Sequence, residues 1–190
     1  MITTETKLKG CFVIEPTLLN DSRGYFFESF NQNKLNALIG QEINFVQDNE
    51  SFSSKGVLRG LHFQTGDYAQ AKLVRVIQGR VLDVVVDLRK GSPTFGKHFS
   101  QELSAANQLQ IFIPRGFAHG FITLSDTSLF SYKVDQYYHP QNEGSIAPDD
   151  PSLAIDWQLA QEEWIQSEKD KELPFLSKAL LFDFKDDPDV

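Results

Sequence analysis

The chain has 190 residues, 41% hydrophobic and 23% charged, a balance that describes a globular chain rather than a disordered one, and its length suits one domain, taken as 1–190, with one sizeable core. Its formal net charge of −8 argues against a nucleic-acid backbone or an anionic membrane surface as partner. Apolar runs such as residues 84–86 are far too short to span a bilayer, the opening MITTETKLKG has no apolar stretch of signal-peptide length, and Cys11 is the single cysteine, so a cytoplasmic protein is expected.

In chain order, apolar or alternating runs occupy 11–19 and 24–30, and a helix is predicted over 31–39, NQNKLNALI, stopped by Gly40. Further runs follow at 43–47, 56–64, 71–79, 80–88, 97–104, 108–114, 119–125 and 129–138, separated by turn signals such as NDSRG, SSKG, TGD, KGSPTFG and PRG. In 80–88, Leu82, Val84, Val86 and Leu88 share one face at period two, while Asp83 and Asp87 share the other with Val81 and Val85. Many short strands at regular spacing indicate an all-β sandwich or barrel rather than βαβ units. A weaker second helix is predicted over 158–168, and the tail from about 180 to 190, ending FDFKDDPDV, is acidic and expected to fray.

Chemistry-bearing residues sit inside this pattern. His62, in GLHFQ, lies within a run that reads as a buried strand. A histidine there can be a metal ligand, a general base or a core residue. Gln64 stands where an H-x-H metal pair would have its second imidazole, and the next run carries Lys72 and Arg75, cations that would repel a metal ion. Lys72 falls on one face with Val74 and Val76, and Tyr132 with Phe130 and Val134, so both are expected to face the interior. His119 follows a Pro- and Gly-bearing turn, and Asp170 is far enough along the chain to fold back onto a histidine. Each has a plain reading too: a core tyrosine, a snorkelling lysine, a turn histidine and a surface aspartate. All six arginines lie between positions 23 and 115, which would put an anion site on the first two-thirds of the chain.

The segments DSRGYFFE (21–28), VQDN (46–49), GVLRGLHFQ (56–64), KLVRVIQGRVLDVVVDLR (72–89), SPTFG (92–96), IPRGFAHGF (113–121), YK (132–133) and KD (169–170) together resemble the dTDP-4-dehydrorhamnose 3,5-epimerase family in order and spacing, over roughly residues 8–175. The resemblance implies a cupin-type double-stranded β-helix, or jelly roll, with a few short peripheral helices, acting as a homodimer without metal or other cofactor. It implies inversion of C3 and C5 of a dTDP-4-keto-6-deoxyhexose by removal of protons next to the C4 ketone. On this resemblance His62 is the general base, Asp170 holds its imidazole, Tyr132 returns a proton from the opposite face, and Lys72 steadies the C4 oxygen. Arg23 and Arg59 match diphosphate contacts. Gln47, Asn49 and Glu28 match the thymidine end, where Phe26 could stack on the base, and His119, Glu143 and Lys169 match further substrate contacts.

Strict alternation would put Arg59 and His62 on opposite faces. Either a bulge at Gly60 re-aims one of them, or Arg59 serves a partner subunit's site. Two departures stand out. The family has a tryptophan near the positions of Ala147 and Pro148, and a leucine where IQS precedes Glu168. The rival readings are a C3-only or C5-only epimerase, a metal-dependent cupin oxygenase, and an inactive sugar-nucleotide-binding module.

Overall fold

The computed structural model describes residues 1–184. The strands are β1 Ile2–Glu5, β2 Phe12–Glu15, β3 Leu19–Asp21, β4 Gly24–Phe26, β5 Gln47–Ser54, β6 Leu58–Gln64, β7 Lys72–Gln78, β8 Arg80–Asp87, β9 Arg89–Lys90, β10 His98–Ser104, β11 Gln110–Ile113, β12 Phe117–Thr123, β13 Thr127–Val134, β14 Glu143–Ser145 and β15 Phe182–Asp183. Two antiparallel sheets face each other. One has the order β1-β2-β11-β7-β13-β5 and the other β10-β8-β12-β6-β14. β3 and β4 form a separate hairpin, and β15 pairs in parallel with β9.

Three layers of apolar packing follow from the side-chain period of two. Val74, Val76, Val81, Val85, Ile111, Phe121 and Phe130 meet between the sheets. The other face of β8, Leu82, Val84 and Val86, with Leu88 just past its end, packs with Leu61, Phe63 and Ile122 under the C-terminal segment that carries Leu153 and Trp157. The far face of the larger sheet, with Leu73, Phe112 and Ile14, is covered by Leu35 and Ile39. β8 is thus buried on both faces, which is why it reads as a nearly continuous apolar run.

The predicted first helix is present as α1, Gln32–Ile39. Asn31 caps it by accepting from Lys34 N–H, and Gly40 ends it in the left-handed region at φ 70°. The second predicted helix is not. Residues 158–168 contain only a 3₁₀ turn at Gln161–Glu163, after which the chain extends beside β6. There Ile165 N–H donates to Gly56 (2.8 Å) and Leu58 N–H to Ile165 (3.0 Å), so the backbone pairs across the fold instead of within a helix.

The strand boundaries differ too. Residues 11–19 split into β2 and β3, only Gly24–Phe26 of 24–30 is strand, and 43–46 is irregular. The well-formed β5 extends through Gln47–Ser54, where no apolar alternation announces it. The predicted fraying of the tail falls largely on 185–190, outside the described residues.

Candidate active site

A cavity of ≈ 690 Å³ opens between the sheets. Its walls carry Gln47 and Asn49 from β5, Arg59, His62 and Gln64 from β6, Lys72 from β7, His119 from β12, and Tyr132 from β13. Glu143 comes from β14, and Lys169 and Asp170 from the 3₁₀ turn Lys169–Glu172. Ten of the thirteen residues singled out in the sequence therefore converge. Arg23, Phe26 and Glu28 do not. Arg23 sits on the outlying hairpin, 88% exposed and paired with Asp21 (2.6 Å), Phe26 is 68% exposed, and Glu28 pairs with Lys34 (2.8 Å).

A bulge places Arg59 and His62 together. His119 lies opposite His62 and Phe121 opposite Arg59, so three steps along β6 match two along β12. The extra residue fits because two glycines meet there. Gly60 has φ +108°, and a Cβ on it would lie 2.7 Å from His119 O, while one on Gly120 would lie 2.5 Å from Arg59 O. Past the bulge, Arg59 reaches across to β5 and donates to Ser53 Oγ (3.1 Å).

His62 Nε2 lies 2.7 Å from Asp170 Oδ1. Burial works against the Asp170 carboxylate, but the hydrogen bond and charge of His62, with Ser167 and Lys169, outweigh it and hold its pKa below the ordinary value. An ionised carboxylate only accepts, so Nε2 carries the proton and Nδ1 is left as the basic nitrogen.

Lys72 is buried, its Nζ 3.4 Å from His62 O. Burial lowers its pKa to about 8, against the upward pull of Asp83 and Glu143. Burial raises that of Tyr132, opposed by Arg59, so the phenol stays protonated at neutral pH. Its hydroxyl makes no hydrogen bond to any described residue. Glu143 accepts from Tyr138 Oη (2.8 Å) and pairs with Lys169 (2.7 Å). Those bonds and nearby His62 hold its pKa below the ordinary carboxylate range, although burial pushes the other way.

Two residues at or beside the cavity were not singled out in the sequence as site residues. Asp83 is fully buried, with Oδ2 2.7 Å from His119 Nε2 and Oδ1 without a partner among the described residues. That it shares a face of β8 with Val81 and Val85 was legible, but not that this face lies between the sheets, nor its partner. Its neighbour on that face, Asp87, is instead absorbed by Arg89, Ser92 and Thr94. Tyr138 lines the cavity beside Glu143; it closes the predicted run 129–138, whose strand ends at Val134, and no role is read for it from the sequence. At the sites of departure from the family pattern, Ala147 is buried with its N–H on Pro174 O (2.8 Å), and Trp157 donates to Pro148 O (2.9 Å).

This constellation has counterparts. Residues 5–178 match the family described as dTDP-4-dehydrorhamnose 3,5-epimerase. The chain belongs to that family. It is 50% identical over 181 residues to the dTDP-4-dehydrorhamnose 3,5-epimerase of Salmonella typhimurium, covering 95% of this chain and 98% of the relative. Among solved structures of such epimerases, that of dTDP-6-deoxy-D-glucose-3,5-epimerase from Legionella pneumophila, in complex with dTDP-4-keto-L-rhamnose, superposes with a TM-score of 0.92 at 45% identity, covering 96% and 98% of the two chains. A 3'-monoepimerase from Streptomyces bikiniensis, in complex with dTDP-quinovose, is more distant at 31% identity and a TM-score of 0.84, covering 90% and 86%. The two-sheet architecture of these epimerases is the cupin-type β fold expected from the sequence.

Proposed function

We propose that the protein inverts C3 and C5 of dTDP-4-dehydro-6-deoxy-D-glucose to give dTDP-4-dehydro-L-rhamnose. The observation that carries this reading is a base and an acid in one cavity: His62, held by Asp170 at 2.7 Å, and the unpartnered phenol of Tyr132. His62 Nδ1 takes the proton from the carbon next to the ketone. The electron pair moves to the C4 oxygen, where Lys72 meets the developing charge. Tyr132 then delivers a proton from the other face; once His62 has released its proton to solvent and Tyr132 has regained one from it, repetition at the second carbon completes the double inversion. Inversion needs groups on both faces, so a base alone would only return the starting configuration. Well-placed groups of this kind contribute about 10²–10⁴-fold each.

Arg59 is the anion-binding side chain within the cavity, and Gln47, Asn49, His119, Glu143 and Lys169 are its further substrate contacts. Arg23, Phe26 and Glu28 serve substrate only if another copy brings them, so the working form is a homodimer in which the β3–β4 hairpin of one subunit reaches the other's cavity. The exposed Leu19, Tyr25 and Phe26 of that hairpin give it an apolar surface to bury. Mixing Arg23→Ala with His62→Ala subunits tests this, because a hybrid would regain one intact site. The reaction is placed in the cytoplasm. Among the described residues, no helix is long and apolar enough to cross a membrane.

The test of the reaction is incubation with the keto-sugar in deuterated water. Deuterium at both C3 and C5 supports double epimerisation. Label at one carbon alone means a mono-epimerase, and no label at either refutes the reading.

A further inference from the structure

Gln64 is a buried side chain, 4% exposed, whose amide is only half used. It lies two residues beyond His62 on the same face of β6, while Phe63 between them points into the opposite apolar layer. Its Oε1 accepts from His139 N–H at 2.8 Å. A backbone N–H cannot accept, so this bond fixes which way the amide is turned. Nε2 is therefore directed away from His139, and it has no acceptor among the described residues. Yet it is not sealed in the core, because Gln64 lines the cavity with His62 and Lys72.

The surroundings say what kind of acceptor fits. Glu143, opposite Gln64 in the β6–β14 register, is already engaged by Tyr138 and Lys169. Lys72, at the far end of the loop that leaves Gln64, is a donor. Arg59 lies on the other side of the bulge, nearer β5. What the amide nitrogen lacks is an acceptor, and the cavity it borders is where one would come from.

We propose that Gln64 Nε2 donates a hydrogen bond to an oxygen of the bound sugar ring and so orients the ring between His62 and Tyr132, while its Oε1 anchors the loop before β14. This assignment rests on the epimerase reading above. It gives a physical use to the glutamine that occupies the position of a second metal-binding imidazole in the H-x-H pattern. A donor at this height fixes the ring without adding charge beside the base.

Two substitutions separate the halves of the amide. Gln64→Glu keeps an oxygen for His139 N–H but removes the donor, and Gln64→Met removes both. Each is compared with wild type for kcat/KM on the keto-sugar, for deuterium uptake at C3 and C5, and for affinity toward dTDP, which lacks the sugar. The expected result is a loss of about tenfold in kcat/KM in both variants, the size of one neutral hydrogen bond, with dTDP affinity within about twofold of wild type. Unchanged dTDP affinity in Gln64→Glu also shows that the new carboxylate is not simply repelling the nucleotide. If Gln64→Glu turns over like wild type, the amide only anchors the loop and the assignment fails. It fails equally if both variants lose dTDP affinity in step with turnover, since that marks a displaced loop. A wild-type protein without deuterium uptake refutes the epimerase reading first, and this assignment with it.

Discussion

Two histidine–aspartate pairs of the same length, one in the cavity and one at its wall, are built in different ways. His62 and His119 face each other across β6 and β12, and each has Nε2 2.7 Å from a carboxylate oxygen. His119 meets Asp83 from the adjacent central strand β8, and the two side chains are 8% and 0% exposed. Its ring also stacks 6.0 Å from Phe130. His62 is 32% exposed, and its carboxylate comes from a 3₁₀ turn 108 residues away. A base must meet substrate on one side and be held on the other. The 62–170 pair has that form, whereas in the 119–83 pair the carboxylate is sealed between the sheets and only the His119 ring borders the cavity. Equal hydrogen-bond lengths therefore do not imply equal roles.

The largest expected effect is at the first pair. His62→Ala should lower turnover by about 10⁴-fold, the upper end for a lost general base, while leaving dTDP affinity within a few-fold by calorimetry. Asp170→Asn should cost less, on the order of a hundredfold, because the imidazole stays in place but loses the carboxylate that fixes its tautomer and steadies its charge. Tyr132→Phe should behave differently again. Label from deuterated water should still enter the sugar carbons through His62, while net inversion, followed by product NMR, disappears.

At neutral pH, Asp83→Asn should act more on stability than on turnover. Replacing one partner of a fully buried pair leaves polar groups poorly matched, which costs about 1–3 kcal/mol of unfolding free energy in a urea melt. If Asp170→Asn proves the more destabilising of the two, or Asp83→Asn the more damaging to turnover, the contrast between the pairs is wrong.

The sequence carried most of this arrangement, and its gaps have physical causes. β7, β8 and β13 were legible because their inner faces supply apolar side chains at period two, and Lys72 and Tyr132 were found by sharing those faces. β5 was not, because its inward residues Gln47, Asn49 and Ser51 line the cavity, so the strand has no apolar face there to reveal it. The helix predicted over 158–168 failed because its backbone bonds go to 56–58. Asp83 could be placed on a face from the alternation of β8, but nothing local says that β12 lies beside that strand. Asp170 could be named from its position as able to fold back onto a histidine, but only the family resemblance favoured that over a surface aspartate, since a 3₁₀ turn in a charged segment has no periodic signature. Arg23, Phe26 and Glu28 came from the same resemblance, and a single chain does not bring them to the cavity.

The smallest effect expected is also the sharpest test of the two pairs, because it reads one group through another. Lys72 titrates at about 8 rather than its ordinary 10.5, mainly through burial, and Asp83 is the charge that pulls hardest the other way. Between those two values the unfolded chain holds a proton that the fold has released, so this group makes stability rise with pH from about 8 to 10.5. Activity should run in the opposite sense, falling as pH passes about 8 and the cation beside the C4 oxygen is lost. Lys72→Arg, which stays charged, should move that alkaline limb upward even if the rate drops. Asp83→Asn should move it downward by removing the charge that favours the ammonium. Asp170→Asn should leave it in place, since the carboxylates acting on Lys72 are Asp83 and Glu143. A pH profile of kcat/KM for the three variants reads this directly, and an alkaline limb that ignores Asp83→Asn or shifts with Asp170→Asn would show that it does not report Lys72.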